Sequence, residues 1–223
     1  SDRDHIDEIS DDWMVSGATE TSAHANDSAD SAASVIRADG GESTALPEGT
    51  AASKAAAAAA MRPEPVSRRA VISLDSPSND AENQFRRAIV AVDGLSGNQV
   101  EGISPLYHVS QLDGEPDKMA CVMQISTRMG ARELIGALES VASSIGEELD
   151  LDLVDMEGVA CDEPDCRVPW PSAREHAAVL APWLDMDPDA KLGKDPVAFL
   201  LAMAPDAAQV GLLTDHWIIG DTL

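Results

Sequence analysis

Residues 148–154 constrain the fold of this chain most, because acidic residues and leucines alternate along them with a period of two. In a β-strand, that period places the three leucines on one face, toward a core, and the three acidic residues on the other. Same-side residues of a strand lie roughly 7 Å apart, so neighbouring carboxylates repel unless a cation or a proton lies between them. The pattern predicts either a solvated sheet edge or a divalent-cation site on Asp150 and Asp152.

The charge balance and the cysteines limit the classes of function. The chain has 15 Lys and Arg residues against 40 Asp and Glu, which makes nucleic acid and anionic membranes poor partners. We find no apolar run long enough to span a bilayer and no signal peptide. Three cysteines are too few for a disulfide framework, and Cys161 and Cys166 lack the second pair of ligands that a zinc site needs. We therefore expect a cytoplasmic protein that binds neither nucleic acid nor membrane.

Composition divides the chain near residue 66. Residues 1–66 are rich in Ser, Ala, Asp, Gly and Thr and show no sustained periodicity, which predicts a disordered acidic linker or tail. Residues 67–223 carry the patterns of a folded domain. Because the sequence starts without Met, we expect a further segment before it.

Hydrophobic patterns in the folded part predict the order strand, helix, strand, strand, helix, strand. This is the split βαβ, or ferredoxin-like, βαββαβ pattern of α+β proteins, with an antiparallel sheet and two helices on one face. We expect the strands at 70–74, 100–107, 119–127 and 148–154, and the helices between residues 80 and 94 and between 130 and 146.

The C-terminal third predicts an extension of this fold. Residues 172–184 and 196–203 are helical candidates, so that we expect a C-terminal helical extension. The apolar residues 210–219 are expected to form a last strand or a packed tail.

Four segments occur together in a characteristic order. They are strand 71–74, the Ser-Pro-Leu-Tyr segment 104–107, the acidic strand 148–154 and the Val-Leu-Ala-Pro-Trp-Leu block 179–184. On these segments the chain resembles the 6-hydroxymethyl-7,8-dihydropterin pyrophosphokinase family, especially its actinobacterial forms. The leucine-aspartate strand and the Leu-Ala-Pro-Trp-Leu block are the most specific parts of the resemblance, which runs from about residue 69 to the C-terminus.

The resemblance implies an enzyme of folate biosynthesis that transfers pyrophosphate from ATP to the hydroxymethyl group of a pterin. It implies Mg²⁺ as the cofactor, held by Asp150 and Asp152, which match the paired aspartates of the family, and no catalytic residue beyond these ligands. Phosphoryl transfer depends mainly on positioning and charge neutralisation, which such a site supplies. The implied substrates are ATP and 6-hydroxymethyl-7,8-dihydropterin, and the implied fusion partner is an upstream folate-pathway aldolase domain.

On the pterin side, the sequence departs from the family pattern. Asp-Ser-Pro at 75–77 replaces a Gly-Ser-Asn turn, and Lys-Met-Ala at 118–120 replaces Tyr-Leu-Asn. The methyl group of Ala120 thus stands where an asparagine amide reads the pterin, and Leu112 matches a leucine that lines the pocket. The resemblance places Leu112, Lys118 and Ala120 at pterin-binding positions.

On the nucleotide side, the cations are missing. The family joins its second helix to the aspartate strand by a long arginine-rich loop, whereas only residues 146–148 fill that place here. No Lys or Arg occurs between Arg132 and Arg167, although arginine forks are the usual partners of polyphosphates. Arg167 and His176 are the candidate nucleotide-binding residues, and His176 is also consistent with an ordinary surface position on a helix.

Three interpretations follow from the sequence. The chain is a working pyrophosphokinase with a minimal site, an impaired or inactive domain of that family, or an unrelated ferredoxin-like binding module. The losses affect pterin reading, ATP clamping and loop closure together, which favours impaired or absent catalysis, since ancestry does not guarantee activity. The alternative function is a non-catalytic interaction module that supports a fused folate-pathway enzyme.

Overall fold

The computed structural model describes residues 65–218, so the predicted linker lies outside the described residues except for its last two positions. The described chain folds into one mixed α+β body. Its helices and strands, in chain order, are β1 (Arg68–Ser76), α1 (Ala81–Asp93), β2 (Asn98–Ile103), β3 (Leu106–Val109), β4 (Lys118–Thr127), α2 (Ala131–Ile145), β5 (Asp150–Met156), β6 (Cys161–Glu163), β7 (Cys166–Val168), α3 (Ala177–Met186), β8 (Lys191–Leu192), β9 (Asp195–Pro196), α4 (Val197–Met203) and β10 (Val210–Thr214).

The main sheet is antiparallel and has the predicted ferredoxin-like order. The central strand β1 pairs with β4 on one side and β5 on the other, and β4 pairs in turn with β2 and β3. The sixth strand, β10, adds to the outer edge of β3. The prediction of an antiparallel α+β sheet is confirmed, and the apolar C-terminal segment supplies one more strand than the βαββαβ pattern requires.

Helices α1 and α2 cover one face of the sheet. In α1 the buried residues Phe85, Ala88, Ile89 and Val92 follow the spacing of a single helical face, as the sequence predicts. They pack with sheet residues such as Ile72 into the larger of two apolar cores. The three leucines at 149, 151 and 153 belong to the same core and are each less than a tenth exposed, which confirms their predicted inward orientation.

Helices α3 and α4 cover the opposite face. Val71, Val122 and Val154 project from the sheet into a second apolar core, where they meet Leu180 and Trp183. The predicted C-terminal extension is therefore a third layer, which buries the sheet face that α1 and α2 leave open.

The predicted helix 172–184 has two parts. A 3₁₀ turn over Pro171–Glu175 precedes α3, and the chain is extended at His176 between them. The second predicted helix, 196–203, is α4. The short hairpins β6–β7 and β8–β9 have no counterpart in the sequence prediction.

The predicted strand 100–107 is two strands, because the chain breaks at Ser104-Pro105. Proline has no N–H for the ladder and is excluded from the middle of a strand. Ser104 bridges the gap: its N–H donates to the carbonyl of Val122, and its Oγ accepts from the Val122 N–H, each over 2.8 Å. These bonds keep β2 and β3 in line along β4.

The acidic strand is shorter at its start than predicted. β5 begins at Asp150, and Glu148 lies in the preceding turn, so Glu148 does not share a strand face with the aspartates. The pairing of β5 with β1 shifts register at Val154, where a bulge interrupts the alternation. The regular part of the strand thus presents only Asp150 and Asp152 on its polar face.

The predicted C-terminal tail contains a strand, β10, and then a packed extension. Trp217 is 2% exposed, its indole Nε1 donates to the carbonyl of Ser104 over 3.0 Å, and its ring meets Phe85 edge-on. Ile219, the end of the predicted tail, lies outside the described residues. Among the helices between residues 65 and 218, none has the length and apolar character that a bilayer crossing requires.

Candidate functional site

The site lies at one end of the sheet, on the face that α3 covers. In the strand register Asp75 of β1 stands opposite Asp150 of β5 on one side and Ala120 of β4 on the other. Ser73 stands opposite Asp152. Because alternate residues share a face, Asp75, Asp150 and Asp152 all project from the face opposite the leucine core.

A lysine pairs with the first of these aspartates. Lys118, the first residue of β4, donates from Nζ to Oδ1 of Asp75 over 2.8 Å, and the two side chains are 31% and 26% exposed. Burial raises the pKa of Asp75 above its ordinary value, and the hydrogen bond and charge of Lys118 oppose that rise. Burial lowers the pKa of Lys118, but the hydrogen bond and charge of Asp75 outweigh it and raise that pKa. Lys118 therefore stays charged and neutralises one carboxylate.

The remaining carboxylates are not neutralised by protein. Burial, followed by the charges of Asp75 and Asp150, raises the pKa of Asp152 from 3.8 to about 6, although Lys118 acts in the opposite direction. Three carboxylates thus share one ammonium group. The excess negative charge favours either a proton on Asp152 or a cation between the strands.

Asp150 and Asp152 fit a partly hydrated Mg²⁺. This ion is usually bound through one or two carboxylates, with waters and substrate phosphates as its other ligands. Within residues 65–218 there is no cluster of three or more His, Cys, Asp or Glu side chains arranged to hold a metal ion. Asp150 and Asp152 are the residues that would hold such an ion, with water completing its coordination.

Two cavities share the aspartate pair, and they differ in charge. The first, which we call the α3-side cavity, has a volume of 360 Å³ and contains Lys118, Trp170 and His176. The rings of Trp170 and His176 lie 5.7 Å apart with an angle of 32° between their planes. The His176 Nδ1 lies 3.8 Å from Oδ2 of Asp206 on the same cavity wall. This cavity combines an aromatic surface with both signs of charge.

The second cavity, which we call the α2-side groove, has a volume of 640 Å³ and lies between α2 and β5. Glu139, Glu147, Asp150 and Asp152 line it, and no Lys, Arg or His is among the lining residues of this described region. The groove occupies the place where the resemblance implies an arginine-rich loop.

The candidate residues from the sequence do not all meet at the site. Lys118 and His176 line the α3-side cavity together with the aspartate pair. Leu112 is 75% exposed on the loop between β3 and β4 and does not line the cavity, because the run of turn-forming residues carries it outward. Ala120 is 2% exposed and stands opposite Asp75 in the strand register.

Arg167 lies on β7 and lines a separate groove of 260 Å³ that it shares with Asp152 and Trp170. It is therefore near the aspartate pair but outside the α3-side cavity. Sequence reasoning missed Trp170 and Asp206 as site residues. Both lie outside the four segments that carry the resemblance, so the sequence analysis gave no signal for either residue.

The fold and the site together define an α+β domain with a ferredoxin-like sheet and a carboxylate pair at one sheet end. Residues 71–188, just over half of the chain, match the family model for 7,8-dihydro-6-hydroxymethylpterin-pyrophosphokinase (HPPK). The chain belongs to the HPPK family and contains an HPPK-family domain of folate biosynthesis.

Solved structures of Plasmodium falciparum HPPK-DHPS share this fold. The wild type with SDX-DHP superposes with a TM-score of 0.51 at 9% identity over 60% of this chain and 44% of that chain. The wild type with pterin and p-hydroxybenzoate gives a TM-score of 0.50 at 10% identity over 63% and 42%. At such identities the likeness is one of fold, and the chain spans less than half the length of these proteins.

Proposed function

We propose that this domain retains the divalent-cation end of an HPPK site but transfers pyrophosphate from ATP to 6-hydroxymethyl-7,8-dihydropterin poorly or not at all. The observation that carries this proposal is the charge of the α2-side groove, which is lined by Glu139 and Glu147 in addition to the aspartate pair and, among the described residues, by no Lys, Arg or His.

ATP is a poor ligand for such a groove. Its triphosphate carries about four negative charges, and proteins usually meet them with arginine forks and lysines. Besides the aspartate pair, the charged residues that line the α2-side groove are Glu139 and Glu147, which repel phosphate. A Mg²⁺ ion on Asp150 and Asp152 would supply the neutralisation that the family's chemistry needs, but the protein adds no second cation from this side.

The pterin side supports the same proposal. The resemblance places the pterin beside residues 75–77 and 118–120, where the Asp75–Lys118 ion pair now stands. A neutral heterocycle placed there meets a charged pair in place of hydrogen-bonding amides, and separating that pair leaves a half-buried charge without its partner. Ala120 offers no amide to replace these contacts.

The proposal is tested by calorimetry and an assay for AMP. We expect Mg²⁺ alone to bind weakly, a non-hydrolysable MgATP analogue to add no measurable heat, and 6-hydroxymethyl-7,8-dihydropterin to stimulate no AMP release. An active member of the family serves as the assay control. Pterin-dependent AMP production that disappears in both Asp150→Ala and Asp152→Ala would refute the proposal.

A double variant shows which side of the site limits activity. Asp75→Gly combined with Lys118→Tyr restores two family residues on the pterin side without changing the α2-side groove. Pterin binding that appears in this variant without AMP production would show that the two halves of the site are impaired separately. Full activity in it would show that the acidic groove is compatible with catalysis.

The alternative function is a non-catalytic interaction module that supports a fused folate-pathway enzyme. Exposed apolar side chains on the edge strand β10 favour it, since Leu212 and Leu213 are 54% and 48% exposed. We expect Leu212→Lys to weaken association with a neighbouring folate-pathway domain, measured by sedimentation velocity, while leaving the fold intact. Unchanged association would exclude β10 as the contact.

A further inference from the structure

The β6–β7 hairpin brings two cysteines together. Its turn is Pro164-Asp165, and the register places Cys166 opposite Glu163 and Cys161 opposite Val168. Since alternate residues of a strand share a face, Cys161 and Cys166 project from the same face of the hairpin as a diagonal pair, with one residue pair, Asp162 and Arg167, between them. Both are free thiols.

That hairpin face packs against the larger apolar core. Cys166 is 3% exposed and belongs to the core, whereas Cys161 is half-buried at its margin. The neighbouring side chain of Cys161, followed by burial, raises the pKa of Cys166. One thiol of the pair is therefore half-open to solvent and the other is enclosed.

Arg132 supplies a positive charge at the exposed thiol. It lies in the first turn of α2, and its guanidinium donates to Glu163 and Asp165 of the same hairpin, with 3.0 Å between Nε and Oδ2 of Asp165. The side chain of Cys161, followed by that of Asp165, raises the pKa of Arg132. Thiol–disulfide exchange proceeds through a thiolate, and Arg132 holds a permanent cation at the hairpin that carries the exposed thiol.

The same guanidinium disfavours a metal at the two thiols. A divalent cation would lie next to a permanent positive charge. In the part of the chain that the structure describes, no further His, Cys, Asp or Glu completes a metal-binding set. Zinc needs about four such ligands, so the pair suits redox chemistry better than metal binding.

We propose that Cys161 and Cys166 form a redox-active dithiol that small-molecule disulfides, such as glutathione disulfide, convert to an intramolecular disulfide. Cys161 is the attacking residue because it is accessible and lies beside Arg132. Cys166 is the resolving residue because it is enclosed and projects from the same hairpin face as Cys161.

The reaction balances in two exchange steps. The Cys161 thiolate attacks one sulfur of glutathione disulfide, which forms a mixed disulfide and releases one glutathione thiolate. Cys166 then loses its proton, and its thiolate attacks the Cys161 sulfur and releases the second glutathione thiolate. The protein loses two electrons and two protons, and one glutathione disulfide becomes two glutathione molecules.

The experiment equilibrates the full chain with mixtures of reduced and oxidised glutathione and then traps free thiols with an alkylating reagent. We expect two of the three thiols to be lost together, with a mass decrease of two hydrogens, no bound glutathione and a peptide that links residues 161 and 166. Cys121 is 0% exposed, so the reagent should alkylate it only after the protein is denatured. It serves as an internal control.

Single variants separate the two roles. Cys166→Ser should accumulate one glutathione on Cys161, because the resolving thiol is absent. Cys161→Ser should react at least tenfold more slowly, because the remaining thiols are enclosed. Circular dichroism of each variant establishes that it is folded, and the wild-type result stands even where the buried Cys166→Ser fails to fold.

Arg132 is tested as a positioning residue. We expect Arg132→Gln to slow the first exchange step about three- to tenfold through loss of the neighbouring charge, and Arg132→Lys to restore part of the rate. Glu163→Gln is the matched control, because it removes an ion pair with Arg132 without removing the guanidinium.

Three results would overturn the proposal. They are retention of all three thiols under oxidising glutathione, equal reactivity of Cys161→Ser and wild type, and a zinc ion that remains bound through gel filtration and protects both thiols.

Discussion

One face of β5 carries leucines that α1 and α2 cover completely, whereas the other face carries carboxylates that the protein neutralises only in part. Each leucine on the first face is less than a tenth exposed and belongs to one continuous apolar core. The aspartate side has one ammonium group, on Lys118, for three carboxylates. Different residues of the same strand maintain the fold and the chemistry of the site. The apolar core can therefore be complete while the charged site is not.

The two cavities beside the aspartates extend this contrast. On the α3 side the chain supplies Lys118, His176 and an aromatic ring, and on the α2 side it supplies only carboxylates. The excess charge must therefore be balanced by protons or by ions from solution, which makes this end of the sheet sensitive to pH and to divalent cations.

The largest effect is expected on the leucine face. Leu153→Ala should lower the free energy of unfolding by about 3 kcal/mol, because it removes buried methyl groups and leaves a cavity. Urea denaturation followed by circular dichroism measures the change. Leu213→Ala, at a 48% exposed position of β10, is the control and should change stability by less than about 0.5 kcal/mol. Equal costs would remove the basis for the comparison.

The next effect concerns the ion pair. Lys118→Met should destabilise the fold by about 2 kcal/mol at pH 7.5, because it leaves the Asp75 carboxylate partly buried without its partner. The double variant with Asp75→Asn should recover most of this loss in the same urea experiment. If the double variant is as unstable as the single one, packing of the lysine stem and not its charge explains the cost.

Removing a carboxylate should have the opposite sign. The pKa of Asp152 is about 6 in the folded chain against 3.8 ordinarily, so the folded state holds its proton more tightly than the unfolded state does. Stability therefore falls as the pH rises from about 4 to 6, and the penalty is complete above that window. Asp152→Asn should stabilise the metal-free protein by about 1–2 kcal/mol at pH 7.5 and have little effect below pH 4. Destabilisation at pH 7.5 would contradict the assigned charge.

The smallest effect is the response to Mg²⁺. Because a proton on Asp152 competes with the ion, the affinity for Mg²⁺ should rise about tenfold between pH 5 and pH 7. At ten times its dissociation constant the ion should add about 1.4 kcal/mol of stability, detectable as a higher melting temperature. Asp155→Asn, which changes another acidic residue of β5 outside both cavities, is the matched control. An equal loss of the response in Asp155→Asn and Asp152→Asn would exclude a specific site.

Much of the fold followed from local pattern, and the errors have local causes as well. The helical face of Phe85 and the alternation of β5 reflect which side of an element is buried, and periodicity records that directly. The break at Pro105 was missed although proline forbids a central ladder bond, because the flanking residues alternate as one strand. Leu112 lies on an exposed loop outside the α3-side cavity, and a resemblance to family positions does not fix the path of a loop.

The sequence by itself determined the ferredoxin-like order and the aspartate pair, because period and residue type are written along a single segment. It also showed the missing cations, since their absence between Arg132 and Arg167 needs no coordinates. Only the tertiary structure decided that Lys118 reaches Asp75, that the C-terminal helices close the second sheet face, and that Cys161 and Cys166 share one face of a hairpin that Arg132 contacts. Each of these contacts brings together residues that are remote in the chain or are aligned by strand register. Such proximity exists only once the chain has folded.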